Sequence, residues 1–378
     1  MKQHWDIFCR VIDNYGDIAV CWRLAKTLTH DHAINVRLWV DDLITLKALL
    51  PGTNPKASQQ IQQGIRLIHW TESLSGSIEP ADVVIEAFGC DLPHYYLKKM
   101  QNAKPIWINL DYLTAEPWVK DFHAMPSTQA NRLEKYFFYP SILKGTGGLM
   151  REANLLEQQK TYRNQANKQA WLSNLGLKPS SDNSFKISLF GYANTGLDRL
   201  LAIWSKSANP IDLYLAPGSL HQQATAYLGQ PLNVGQSLVS EAITFHSLPF
   251  LPQSEYDKLL WHCDLNFVRG EESFVRAQWA GKPFIWHIYP TEDLAHWQKL
   301  DAFFNSYIEG LDAELAQTII HFNQAWNQAH RQTLDQQAWL AVIKQISAWQ
   351  QHSQNWVKHL NQLGDLTSNL VKFVKSKV

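Results

Sequence analysis

From its first residues this chain alternates short apolar runs with longer amphipathic stretches, and no other feature constrains its fold as strongly. WDIFCRVI (5–12) precedes the helical pattern IAVCWRLAKTLTH (18–30), and NVRLWV (35–40) precedes LITLKALL (43–50). Strand, helix, strand, helix in that order predicts a parallel sheet with helices on its faces. Further strands are expected at IRLIHW (65–70), ADVVIEAF (81–88) and PIWINL (105–110), so residues 1–150 read as one doubly wound, Rossmann-like domain. Residues 151–183 are charged, rich in Gln and Asn and without a strand signal, and they read as a linker region. The alternation restarts at FKISLFGY (185–192) and runs through IDLYLAPG (211–218), ITFHSLPFLP (243–252), DLNFVRG (264–270) and KPFIWHIYP (282–290). A second Rossmann-like domain is therefore expected over 184–355. In the tail, 356–378, the stripe Leu366, Leu370, Phe373 and Val374 predicts a helix packed on a core, crossing back to the first domain.

Composition narrows the function. A chain of 378 residues is too long for one typical core, and two α/β domains imply a cleft between them. Lys plus Arg and Asp plus Glu number 34 each, which leaves no basic excess to attract a phosphate backbone, so nucleic acid is not an expected partner. No apolar stretch approaches the ~18–20 residues of a membrane span; a cytoplasmic protein without membrane contact is expected. Cys9, Cys21, Cys90 and Cys263 are scattered, with no C-x-x-C pair, and read as reduced core thiols.

In parallel α/β sheets ligands bind beyond the carboxyl ends of the strands, which directs attention to the loops that follow them. None carries G-x-G-x-x-G or G-x-x-x-x-G-K-[ST], so the dinucleotide and P-loop fingerprints are absent. In RVIDNYGDIAVCWRLA (10–25), Asp13 ends the first strand and Asp17 opens the next helix. Two readings stand side by side: turn and N-cap chemistry, or a pair of carboxylates that hold a cationic substrate while one acts as base.

The stretch FVRGEESFVRAQWAGKPFIWHIYP (267–290) puts Arg269 at a strand end and Ser273 and Phe274 at a helix start. Free amides at a helix N-terminus and an arginine fork suit a diphosphate, with sugar or ribose hydroxyls as partners for the adjacent glutamates. Acidic first-turn residues that complement the helix dipole are the structural alternative. Upstream, Phe250 and Gln253 in FHSLPFLPQ could stack on and hydrogen-bond a base, and Tyr192 in FGY joins the same rim. His287 in WHIYP reads as structural.

Several long segments, in order, carry a resemblance: FCRVIDNYGDIAVCWRLA, VVIEAFGCDLP, EKYFFYPSILKGTGGLMRE, PFLPQ and RGEESFVRAQWAGKPFIWHIYP. Together they resemble the elongation factor P arginine rhamnosyltransferases (EarP), along the whole chain. Here the acidic pair is Glu271-Glu272 where the family carries Glu-Asp, and NLDYLTAE, with Asp111, replaces a variant with Trp and Glu.

The resemblance implies a GT-B type α/β fold, two doubly wound Rossmann-like domains facing across a cleft, with the acceptor on the first and the nucleotide-sugar on the second. It implies inverting transfer of L-rhamnose from dTDP-β-L-rhamnose to an arginine side chain of translation elongation factor P, with no cofactor and no metal. Asp13, Asp17 and Glu271 match its catalytic residues. Tyr192, Phe250, Gln253, Arg269, Glu271, Ser273, Phe274 and Tyr289 fall where donor contacts are expected. The competing readings are a non-catalytic nucleotide-binding partner of the translation machinery and a glycosyltransferase with another acceptor.

Overall fold

The computed structural model describes residues 3–12, 15–71, 78–177, 183–328 and 333–377. The chain divides into two compact units, one of Met1–Ala153 with Leu360–Val378 and one of Asn154–His359.

The first unit opens with β1 (His4–Cys9), α1 (Gly16–His30), β2 (Asn35–Val40) and α2 (Leu43–Leu49). It continues through β3 (Gln59–Gln62), β4 (Ile65–His69), β5 (Val83–Ala87), α3 (His94–Ala103) and β6 (Ile106–Leu110). A short α4 (Val119–Phe122) precedes β7 (Pro126–Thr128) and β8 (Glu134–Phe138). The strands form one sheet in the order β3-β4-β2-β1-β5-β6-β8-β7.

Alternation along β1 explains the layers. Trp5, Ile7 and Cys9 point into one core with Ile18, Cys21 and Leu24 of α1, while Phe8 points into the opposite core with Trp39, Tyr96 and Met100. Asp6 shares the Phe8 face and is neutralised there by Arg37 Nε (2.5 Å), with the Trp39 indole donating to the same oxygen (3.0 Å). The sheet is mixed at its ends, a correction to a purely parallel reading: β3 and β7 run antiparallel to their neighbours. At β3 the cause is Gln63-Gly64, whose positive φ values (49° and 80°) close a tight hairpin turn of a kind that parallel crossovers never use.

The second unit begins with α5 (Leu155–Tyr162) and α6 (Gln165–Asn174), which occupy the stretch read as linker. Its sheet strands and helices follow as β9 (Phe185–Leu189), α7 (Leu197–Trp204), β10 (Ile211–Leu215), α8 (Ser219–Leu228), β11 (Ser237–Ser240) and β12 (Ile243–Ser247). Next come α9 (Gln253–His262), β13 (Leu265–Arg269), α10 (Glu272–Ala280) and β14 (Phe284–His287). Helices α11 (Ala295–Tyr307), α12 (Ala313–Trp326) and α13 (Gln336–Leu363) complete the run, and α14 (Leu366–Lys375) ends the chain.

The second sheet has the order β11-β12-β10-β9-β13-β14, with β11 antiparallel at the edge. An aromatic core backs it: Phe274 stacks on Trp286 at 3.8 Å, Phe303 meets Phe274 edge-on at 4.6 Å, and Trp326 meets Phe267 edge-on at 4.8 Å. The stripe of α14 lies in the first unit's core, where Leu366, Leu370 and Val374 are buried and Phe373 packs beside them. All four cysteines are free and buried.

Candidate functional site

Each sheet reverses its winding at its first strand. β1 lies between β2 and β5, and β9 lies between β10 and β13, so the loops after β1 and β5, and after β9 and β13, border the crevices where such sheets bind ligands.

In the second unit Arg269 is the last residue of β13, and Gly270 follows it at φ 59°. The Ser273 hydroxyl accepts from the Arg269 amide (3.0 Å) and donates to the Arg269 carbonyl (2.5 Å), a clasp that seats the mouth of α10 on the strand end. Glu271 is the N-cap residue and Glu272 the first helical one. The opening amides of a helix, here including those of Ser273 and Phe274, have no acceptor within it and carry its positive end.

Beside them the Arg269 guanidinium lies over the rings of Phe190 (4.4 Å) and Tyr192 (4.9 Å), while its Nη1 donates to the Gly191 carbonyl (3.4 Å). Tyr192 meets Tyr289 edge-on at 5.6 Å. Gln253 opens α9 and its Nε2 donates to Glu272 Oε1 (3.3 Å). Tyr192, Arg269, Ser273 and Tyr289 are thus one contact chain, and Gln253 reaches the same helix mouth through Glu272.

Phe250 precedes Gln253 in the loop after β12 and is 41% exposed, so its ring stands outside the core. Phe274 does the opposite: its ring is fully buried against Trp286, which leaves only its backbone amide at the helix mouth. Arg276 also faces inward, forming a buried two-pronged pair with Asp257 (2.7 and 2.8 Å) that ties α10 to α9.

In the first unit Asp13 lies outside the described residues. Asp17 is almost wholly buried, and it is not the N-cap that its sequence position suggests. That place belongs to Tyr15, and Asp17 sits within the first turn of α1. Its carboxylate turns back to the loop instead: Oδ2 accepts from the Ile12 amide (2.9 Å) and Oδ1 from the Tyr112 hydroxyl (3.3 Å). Asp41, following β2, accepts from the neighbouring Val11 amide (2.9 Å).

Tyr112 stacks on Phe88 at 4.4 Å with planes 17° apart, and Asp111 accepts from Asn109 Nδ2 (3.1 Å) and from the Tyr112 amide (2.8 Å). Sequence reasoning missed Tyr112, Phe88 and Asp41 as site residues. The one signal available was position, since each follows a strand. A carboxylate held on both oxygens beside a partly exposed tyrosine face suits a flat cation, which can pair with the one and stack on the other.

Among the described residues no cluster of three or more His, Cys, Asp or Glu could hold a metal ion, and no helix is long and apolar enough to cross a membrane.

Comparison with known proteins follows the same lines. The profile of a family described as elongation factor P (EF-P) rhamnosyltransferase EarP matches residues 5–375. The chain is 41% identical to a protein-arginine rhamnosyltransferase of Pseudomonas putida over 382 residues, covering 100% of each chain. A solved structure described as the structural basis for EarP-mediated arginine glycosylation of translation elongation factor EF-P superposes with a TM-score of 0.70 at 31% identity, covering 100% of both chains. A UDP-GlcNAc 2-epimerase from Neisseria meningitidis shares the fold at a TM-score of 0.52 and only 10% identity. Fold alone therefore does not separate transferase from epimerase; identity along the whole chain does.

Proposed function

Because the chain belongs to the elongation factor P rhamnosyltransferase (EarP) family, we propose that it transfers L-rhamnose from dTDP-β-L-rhamnose to an arginine side chain of translation elongation factor P, with inversion at the anomeric carbon. What carries this reading above all is the whole-chain match to the family, residues 5–375. The chemistry of the two loops agrees with it.

In this reading the second unit holds the donor. Arg269 and the opening amides of α10 bind the diphosphate, Phe250 stacks on the thymine, Gln253 hydrogen-bonds it, and Tyr192 and Tyr289 flank the phosphates. Glu271, at the helix mouth, accepts from sugar hydroxyls.

The first unit receives the arginine. A guanidinium is protonated and delocalised, hence a poor nucleophile until it is gripped and stripped of a proton. Asp17 is the base, Asp13 polarises the acceptor, and Tyr112 holds the Asp17 carboxylate in place. The guanidinium nitrogen bonds to the anomeric carbon from the face opposite the leaving group. The carbon–oxygen bond to phosphate breaks with its electron pair going to dTDP, and the displaced proton passes to Asp17. Arg269 and the helix end stabilise the departing charge, a fixed electrostatic arrangement that requires no metal ion.

The purified protein is incubated with dTDP-β-L-rhamnose and elongation factor P, and the acceptor peptide is weighed by mass spectrometry. One rhamnosyl residue on one arginine is expected, and transfer should proceed unchanged in EDTA. An unmodified acceptor under conditions where dTDP binds would favour the non-catalytic reading, and activity lost to EDTA and restored by magnesium would overturn the metal-free one.

A further inference from the structure

His287 ends the edge strand β14, in register with Arg269 on β13. Its backbone is fixed from three sides. Its carbonyl accepts from the Gly270 amide (3.1 Å), and the adjoining Trp286 and Ile288 amides donate to Asn323 (2.9 Å) and Asn327 (3.1 Å), with α12 presenting Asn323.

The ring is thereby driven under the β9 loop, where it meets Tyr192 edge-on at 5.2 Å and Trp326 at 5.7 Å. Gly191 lies over it so closely that a Cβ there would come 3.3 Å from His287 Nδ1 and 2.5 Å from Leu220 Cδ1. Nδ1 has no hydrogen-bond partner among the described residues. Burial, and then the charge of Arg269, push the imidazole pKa down to about 4, so the ring is neutral at physiological pH. An imidazolium here would stand against the guanidinium that the donor needs.

We propose that His287 is a positioning residue for donor binding: an uncharged ring wedged beneath Gly191 and Tyr192 that holds Tyr192 on edge and so keeps the Arg269 guanidinium between Phe190 and Tyr192, at the mouth of α10. This rests on the donor reading given above. The ring's shape, not its nitrogens, performs the task, since Nδ1 makes no bond and the contact with Tyr192 is ring against ring.

The test compares His287→Ala and His287→Phe with the unaltered protein, using dTDP in titration calorimetry and dTDP-β-L-rhamnose with elongation factor P in steady-state assays. His287→Ala should weaken dTDP binding by about tenfold, the scale of a misaligned charge-assisted contact, and raise the donor KM while leaving kcat at saturating donor and the KM for the acceptor near their original values. His287→Phe should restore dTDP binding to within about threefold of the original.

A His287→Ala protein that binds dTDP as before, or loses kcat and donor KM alike, overturns the proposal, as does a folded His287→Phe protein that binds no better than the alanine variant. If the unaltered protein itself fails to bind dTDP, the donor reading falls instead. Melting curves identify any variant that has not folded, and in that event the KM and kcat split of His287→Ala decides alone.

Discussion

Asp17 shows how one carboxylate can serve structure and chemistry at once. Buried in the first turn of α1, it closes the loop after β1 by accepting from the Ile12 amide and presents its other oxygen to Tyr112. Asparagine can keep both contacts, since its carbonyl accepts from Ile12 and its amide can donate to the tyrosine oxygen, yet it cannot take a proton. Asp17→Asn should therefore fold and bind dTDP normally while transfer falls by roughly a hundredfold or more, as for loss of a positioned base. Single-turnover transfer, donor titration and melting on one preparation check this; transfer within about threefold of the original would remove Asp17 from the role. On the donor side, Arg269→Ala should weaken dTDP binding by about 1.5–3 kcal/mol, the worth of a charge-assisted hydrogen bond. Calorimetry showing unchanged affinity would exclude Arg269 from the site.

Among the elements, α10 has its position set at both ends of its first two turns. The Ser273 clasp fixes its mouth to β13, and the buried Arg276–Asp257 pair fixes its flank to α9. Removing one partner of such a pair strands a charge in the interior. Asp257→Ala should cost about 3–5 kcal/mol, whereas the double change Asp257→Leu with Arg276→Met should recover most of that loss. Urea unfolding curves of the two variants provide the measurement, and equal stabilities for both would refute the stranded-charge account. The clasp also explains why the arginines of RGEESFVR differ in duty, Arg269 over the aromatic rim and Arg276 within the core.

At the scale of the molecule, buried neutral histidines tie stability to pH. Burial pushes His262 down to about 3, and burial with Arg269 pushes His287 down to about 4. Both folded values lie below the unfolded value, so on acidification the unfolded chain takes up these protons first. Stability is full above the unfolded pKa of about 6.5 and declines as pH falls toward 4, by about 2 kcal/mol for each histidine at pH 5. Thermal melts at pH 8 and pH 5 should show the second unit melting lower in acid, with His287→Phe lessening the drop. An unaltered melting temperature would mean these rings are not held neutral.

What the sequence by itself determined is what periodicity and turn chemistry encode locally. The strands at the sheet centres, the restart near residue 185 and the apolar stripe of α14 were all legible, because a residue's inside or outside face follows from its spacing to near neighbours. So was the placing of Arg269, Ser273 and Asp17 at strand-to-helix turns, where Gly, Asp and Ser mark the breaks. The edge strands β3, β7 and β11 were not legible: they are three or four residues long and partly polar, and their identity as strands comes from the partner they pair with. Nor was the pairing of Tyr112 with Asp17, which are 95 residues apart, or the seating of His287 beneath Tyr192, also 95 residues away in the chain. Those contacts exist because β1 and β6 flank β5, and β9 and β14 flank β13. Strand order is fixed by packing over the whole sheet, and no local stretch of sequence contains it.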